Sequence, residues 1–238
     1  MSTNLPTHQD QPIKPALLIV AAGSGTRMGA KVPKQYLKLD GISLLRRSIE
    51  SWKCVPNLLI QVVISKSAID LYEQATSGTD VEMLPPVFGG TDRQSSVLNG
   101  LKSLNKHEPT HVLIHDAARP CMPSKVYDDV LTAAVSDGAS LAVLPQIDSL
   151  HLTEGGYIKQ AVNRASYVRA QTPQGFEFQS ILKAHHQYAN ESYSDDVAIA
   201  MAFGMKVKLV DGDENGMKVT SHNDLITLEN RKEQMTHV

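Results

Sequence analysis

Ala16-Leu17-Leu18-Ile19-Val20-Ala21-Ala22-Gly23-Ser24-Gly25-Thr26-Arg27-Met28-Gly29 joins an uninterrupted apolar run to a glycine-rich turn. A short apolar run closed by such a turn reads as a buried strand. Glycines leaving a strand let backbone N–H groups approach a polyphosphate without Cβ clashes. Arg27 and, five residues beyond the turn, Lys34 add cations that stay charged near neutrality. Together they describe a place to hold a nucleoside triphosphate and to neutralise charge as it reacts. A Walker A loop is excluded, because Ala30 and Lys31 follow Gly29 where that loop needs Lys-Ser/Thr. The dinucleotide fingerprint is excluded too, since Met28 stands at its third glycine position. A turn using glycine for geometry alone has no use for two convergent cations.

Outward from this stretch, β-rich apolar runs recur at 17–21, 58–65, 81–84, 112–115, 140–144 and 206–210. Helical patterns fall at 44–52, 68–75, 95–104, 126–135 and 223–235, the last with Ser221 or Asn223 available as a cap. Strands alternating with helices predict an α/β fold: a Rossmann-like, mostly parallel twisted sheet with helices on both faces. Ligands of such sheets sit beyond the carboxyl ends of the strands, where the glycine turn falls. Residues 145–171 break the rhythm. Short extended runs flank Gly155-Gly156 and predict a protruding β-hairpin arm over 146–170. A lone hairpin is marginal in water, so it is expected to lean on the body or on another subunit. Residues 1–14, polar and containing Pro6 and Pro12, read as a loose tail, and 15–238 as a single domain.

The 238 residues carry a formal net charge of -2, so no global basic field recommends a nucleic-acid partner. Cys54 and Cys121 are the only cysteines, which excludes a disulfide framework and a cysteine-only zinc site and suits a reducing cytosol. No signal peptide is expected at the N-terminus, and no run approaches the length of a membrane span. These features predict a cytoplasmic chain without membrane partners.

Two further clusters carry chemistry. Gly89-Gly90-Thr91-Asp92-Arg93-Gln94-Ser95-Ser96-Val97 precedes a helical pattern; Thr91 or Asp92 suits a cap, and Arg93 makes the stretch a polar binding loop. His115-Asp116-Ala117-Ala118-Arg119-Pro120 ends the strand pattern of 112–115. An Asp at a buried strand tip in a phosphate site holds Mg²⁺ or a ribose hydroxyl, and Arg119 suits bidentate contact with phosphate. The plainer alternative is an Asp116–Arg119 ion pair within the turn. His115 reads as structural.

With Pro33-Lys34-Gln35-Tyr36-Leu37, these motifs resemble the 2-C-methyl-D-erythritol 4-phosphate cytidylyltransferase family from about Ala16 to the C-terminal helix. The resemblance implies transfer of a cytidylyl group from CTP to the phosphate of a small polyol, methylerythritol phosphate, with Mg²⁺ or another divalent cation and release of pyrophosphate. It implies catalytic roles for Arg27, Lys34, Arg164 and Lys218. Ala21, Ala22, Gly23, Ser24 and Gly25 would wrap the nucleotide, and Gly90, Arg93 and Ser96 would read cytosine. Asp116 and Ala117 would also bind the nucleotide, with Asp116 near the ribose and the metal. Arg119, Ser149, Thr172, Ser194 and Asp195 match acceptor-side positions. In this family the arm is exchanged across a homodimer, so Arg164 would serve the neighbouring subunit.

The chain departs from the family pattern mainly on the acceptor side. His151 replaces a lysine, Ser194 a threonine, and Gly216 an asparagine two residues before Lys218. Rival readings are a cytidylyltransferase for ribitol 5-phosphate, a sugar-1-phosphate nucleotidyltransferase using UTP or GTP, and a nucleotide sensor without catalysis. Arg164 and 115–120 weigh against the first two, by resemblance. Four cations around one centre weigh against the third.

Overall fold

The computed structural model describes residues 12–23 and 32–235. The expectations for Ser24, Gly25, Arg27 and most of the tail therefore lie outside the described residues. The opening apolar run forms β1 (Pro15–Ala21). A small ribbon, β2 (Lys38–Leu39) and β3 (Ile42–Ser43), leads into α1 (Leu44–Glu50), then β4 (Leu59–Ile64), α2 (Ile69–Thr76) and β5 (Val87–Phe88). Next come α3 (Arg93–Asn105), β6 (His111–Asp116), α4 (Ser124–Asp137) and β7 (Ala139–Pro145). The arm is β8 (Leu150–Glu154) with β9 (Tyr157–Val162). β10 (Val168–Glu177), α5 (Phe178–Gln187), α6 (Asp196–Ala202), β11 (Lys208–Asp211) and α7 (His222–Met235) complete the order.

Seven strands make one sheet in the order β11-β7-β10-β6-β1-β4-β5. β10 runs antiparallel to both its neighbours, and the other pairings are parallel, giving the mostly parallel α/β sheet the alternation predicts. β1 is buried on both faces, which is why its sequence is continuously apolar rather than alternating. Leu18 packs with Val97 and Leu101 of α3 and with Ile181 of α5 on one face. Leu17 and Ile19 pack with Ile49 of α1 and with Val126 and Val130 of α4 on the other. Fully burying each such aliphatic side chain contributes about 1.5–3 kcal/mol. Leu39, Leu44, Val219, Leu225 and Leu228 form a smaller cluster that ties α7 and the segment before it to α1. Among the described residues no helix is long and apolar enough to cross a membrane.

One expectation needs correction, and three longer elements go beyond the sequence reading. Residues 81–84 form no strand; Leu84 N–H makes a single 2.9 Å bond to Ile60 O, and the edge strand is β5. Pro85 and Pro86 explain this, because they lack the N–H donors of a ladder. The central strand β10 was not expected: its buried Gln171, Thr172 and Gln174 and its Pro173 imitate a loop, and its register shifts between Ala170 and Gln174. α5 and α6 were not expected either.

The hairpin is present within narrower bounds than the expected 146–170, since Val168, Arg169 and Ala170 already pair with β7 in the central sheet. Gly155 and Gly156 turn it at φ 58° and 86°, values that glycine adopts without strain. Its two strands pair with each other in a separate sheet, and Tyr157 is 81% and Ile158 67% exposed.

Candidate active site

The parallel register brings the carboxyl ends of β1 and β6 level, with Val20 beside Asp116, and Ala117 N–H bonds Val20 O at 3.2 Å. The exit of β1 at 21–23 and the 115–120 motif therefore open into one cavity of about 400 Å³, a size usual for small-molecule sites. Ala21, Ala22, Gly23, Lys34, Gly90, Arg93, Ser96, Asp116, Ala117 and Lys218 all line it. They come from five separate stretches of the chain.

Each stretch is held by identifiable contacts. Gln35 Nε2 donates to Ala21 O at 2.6 Å and to Gly23 O at 2.9 Å, fixing the exit of β1. Lys34 Nζ donates to Val219 O at 3.0 Å. Asp92 caps α3 through a capping box with Ser95, while Ser96 Oγ accepts Gly90 N–H at 3.0 Å. Gly89 permits this folding, since a Cβ there would lie 2.5 Å from Ala22 Cβ and 2.6 Å from Ser96 Oγ.

Asp116 is the electrostatic centre. Its carboxylate lies 2.6 Å from Lys218 Nζ, 3.6 Å from Arg93 Nε and 3.9 Å from Arg119 Nε. Burial alone would raise its pKa, but Lys218, then Arg93 and Arg119, overcome that and hold the carboxyl far below the usual carboxylate range. Behind it, Thr172 Oγ1 accepts Asp116 N–H at 3.1 Å and lies 3.0 Å from His115 Nδ1. Burial pushes His115 down to about 4, so the ring is neutral. With Nε2 3.2 Å from Arg119 O, the network assigns the ring proton to Nε2, leaving Nδ1 to accept from Thr172. His115 is thus the structural residue its position suggests.

A profile of the 2-C-methyl-D-erythritol 4-phosphate cytidylyltransferase family matches residues 16–231. The chain belongs to this family. A curated relative, the bifunctional enzyme IspD/IspF of Rhodospirillum rubrum, is 42% identical over 213 residues, covering 89% of this chain and 55% of that protein. The chain spans about half the length of the curated relatives it matches. The crystal structure of the 2-C-methyl-D-erythritol 4-phosphate cytidylyltransferase from Thermus thermophilus is 30% identical, with a TM-score of 0.73, covering 92% of this chain and 98% of that one. The 4-diphosphocytidyl-2C-methyl-D-erythritol synthase of Anaerococcus prevotii shares the fold at a TM-score of 0.82 and 24% identity, covering 93% of this chain and 96% of that one.

The remaining residues singled out by the family resemblance lie apart from the cavity lining. Arg119 is buried beneath it; Nη1 donates to Gly216 O at 2.7 Å and Nη2 to Ala170 O at 3.4 Å. Thr172 sits behind Asp116 as described. Asp195 caps α6, accepting Ala198 N–H at 2.9 Å, and takes Gln174 Nε2 at 3.2 Å. Ser149 and Ser194 are exposed. Arg164, also exposed, donates to Ile147 O within the arm. Among the described residues no cluster of three His, Cys, Asp or Glu has the form of a metal centre.

Sequence reasoning missed Gln35, Gln171 and Asp196. Gln171 Oε1 accepts Asp213 N–H at 3.0 Å while Nε2 donates to Asp213 O at 2.8 Å, holding the loop that carries Lys218. A signal existed for Gln35, which directly follows Lys34 in a stretch otherwise reading as buried. None existed for Gln171, whose partners are about 40 residues away.

Proposed function

We propose that this chain transfers the cytidylyl group of CTP to the phosphate of 2-C-methyl-D-erythritol 4-phosphate, giving 4-CDP-2-C-methyl-D-erythritol and pyrophosphate, as a step in non-mevalonate isoprenoid precursor synthesis. An oxygen of the acceptor phosphate attacks the α-phosphorus of CTP in line. The new P–O bond forms as the bond from that phosphorus to the bridging oxygen breaks, and pyrophosphate departs with the electron pair. No protein nucleophile is required. The work is positioning, together with stabilising charge on the five-coordinate phosphorus. The observation that carries this reading is the convergence of Lys34, Arg93 and Lys218 on one cavity at the carboxyl ends of β1 and β6, in a chain of this family.

In this reading the backbone of 21–23 receives the triphosphate, with Lys34 and Lys218 neutralising it, and Arg27, Ser24 and Gly25 complete that loop. Gly90, Arg93 and Ser96 read the base, and Asp116 and Ala117 flank the ribose. Arg119, Ser149, Thr172, Ser194 and Asp195 belong to the acceptor side, the buried ones by holding its floor. Mg²⁺ fits this donor set: Asp116 stays ionised and faces the cavity, and Mg²⁺ commonly takes one or two carboxylates beside substrate phosphates. When bound, the ion would share the charge of the phosphates. The exposed apolar side chains of the arm, Tyr157 and Ile158 foremost, support a homodimer in which Arg164 reaches the partner's site. The chain's sparing use of cysteine, two in 238 residues, supports a cytoplasmic setting.

The test is pyrophosphate release from each of the four nucleoside triphosphates with Mg²⁺ and either methylerythritol phosphate or ribitol 5-phosphate. Release is expected with CTP and methylerythritol phosphate alone. Release with ribitol 5-phosphate in its place overturns the acceptor.

A further inference from the structure

Arg93 enters the cavity braced from two sides. Its Nη2 donates to Asp196 Oδ2 at 2.7 Å, and its Nε lies 3.6 Å from Asp116 Oδ1. The Asp196 side chain is fully buried, whereas the Arg93 side chain keeps 31% of its surface exposed. The second Asp196 oxygen, Oδ1, is 3.2 Å from Nε2 of His185, which is equally buried, though the pair is not aligned as a hydrogen bond. Burial favours the neutral acid, yet Arg93 first and His185 second hold the Asp196 carboxyl below its ordinary value. The helix start sets this geometry. Asp195 caps α6 through Ala198 N–H, and Asp196, the first helical residue, turns inward instead of facing solvent.

A buried ion pair is weak support for stability, because desolvation cancels most of the attraction and an apolar pair of similar shape often serves as well. What an apolar pair cannot do is point a guanidinium. With Asp116 so near, an unanchored Arg93 would swing fully onto that carboxylate and compete there with Lys218, which sits 2.6 Å from it. Asp196 removes that option by holding the Nη2 edge of the fork from the interior, about 100 residues away in sequence.

We propose that Asp196 is a positioning residue for nucleotide recognition: it anchors Arg93 from inside the fold so that the guanidinium stays between the two carboxylates, in the cavity that Gly90 and Ser96 also line, instead of collapsing onto Asp116. The effect on CTP rests on the reading that this cavity binds CTP; the anchor itself does not.

The test has a nucleotide-free arm and a kinetic arm. In the nucleotide-free wild type, NMR of the Arg93 side chain should show resolved, slowly exchanging Nη protons; a freely averaging guanidinium overturns the proposal without any variant having to fold. In Asp196→Asn those signals should collapse, the KM for CTP should rise about tenfold, and kcat should fall less than that. In an Arg93→Ala background the same Asn substitution should add nothing, since both act through one group. An unchanged CTP KM in Asp196→Asn, or fully additive effects, overturns the proposal. Arg93→Lys gives an independent check, because an ammonium cannot span both carboxylates; it too should raise the CTP KM, and an unchanged value counts against the anchor. If wild type binds no CTP, the functional reading fails while the NMR arm still decides whether Asp196 fixes Arg93.

Discussion

Around Asp116, side chains from distant parts of the chain lock together, whereas Arg164 bonds within its own arm. Lys34 is held by Val219 O, Lys218 by Asp116, Arg93 by Asp196, and Asp116 itself by Thr172. Arg164 meets Ile147, and Ser149 and Ser194 stand exposed. The contrast teaches that the residues proposed to hold the nucleotide are braced within one chain, as are Arg119, Thr172 and Asp195 on the proposed acceptor side. Arg164, Ser149 and Ser194 stand exposed instead. Preorganised cations raise the rate only where their geometry is already set, so substitutions in the two groups should differ in kind as well as size.

The largest expected effect is in the braced group. Lys34→Ala and Lys218→Ala should each lower kcat on the order of 10²–10³ with a smaller change in the KM for CTP, as removal of one preorganised charge typically does. Arg27→Ala should behave alike. Steady-state kinetics check this, and wild-type turnover in any of the three would break the contrast.

The next effect sharpens it through pH. His115 has a folded pKa of about 4 against an ordinary 6.5, so between those values the unfolded chain binds the extra proton. Its contribution is fully present above about pH 6.5 and is lost as pH falls towards 4, amounting to about 3 kcal/mol. The Asp116 carboxyl, also depressed, holds its contribution until pH drops below its ordinary value near 3.8. Urea unfolding of wild type at pH 7 and pH 4.5 should show the His115 loss, and His115→Gln should flatten it. An equal slope in the variant would mean the ring is charged in the fold.

Smaller effects belong to the arm. Arg164→Ala should raise the KM for the acceptor phosphate about tenfold and leave that for CTP unchanged; an unaltered acceptor KM removes Arg164 from the site. Ile158→Asp, on the 67% exposed side chain, should shift a dimer towards monomer in light scattering at micromolar concentration. An unshifted dimer would place the interface elsewhere.

Much of the braced group could be read from sequence because its signals are local. β1 declares itself by a continuous apolar run, and the start of α3 by Thr91 or Asp92 as a cap, of which Asp92 serves. What escaped depends on partners far along the chain. β10 is central, yet its Gln171, Thr172 and Gln174 bond to Asp213, Asp116 and Asp195, so its polarity imitates a loop. Asp195 and Asp196 are indistinguishable as neighbouring carboxylates; the direction of α6 makes one a cap and sends the other inward to Arg93. α5 is legible too, since Phe178, Ile181, Leu182 and His185 recur at helical spacing on its buried side.

The most direct measurement is a crystal structure of this chain with CTP and Mg²⁺. The prediction is a triphosphate against the backbone of 21–23 with Lys34 Nζ and Lys218 Nζ each within about 3 Å of phosphate oxygens, and cytosine beside Gly90 and Ser96. CTP seated elsewhere, with Lys34 still on Val219 O and Lys218 still on Asp116, would contradict it.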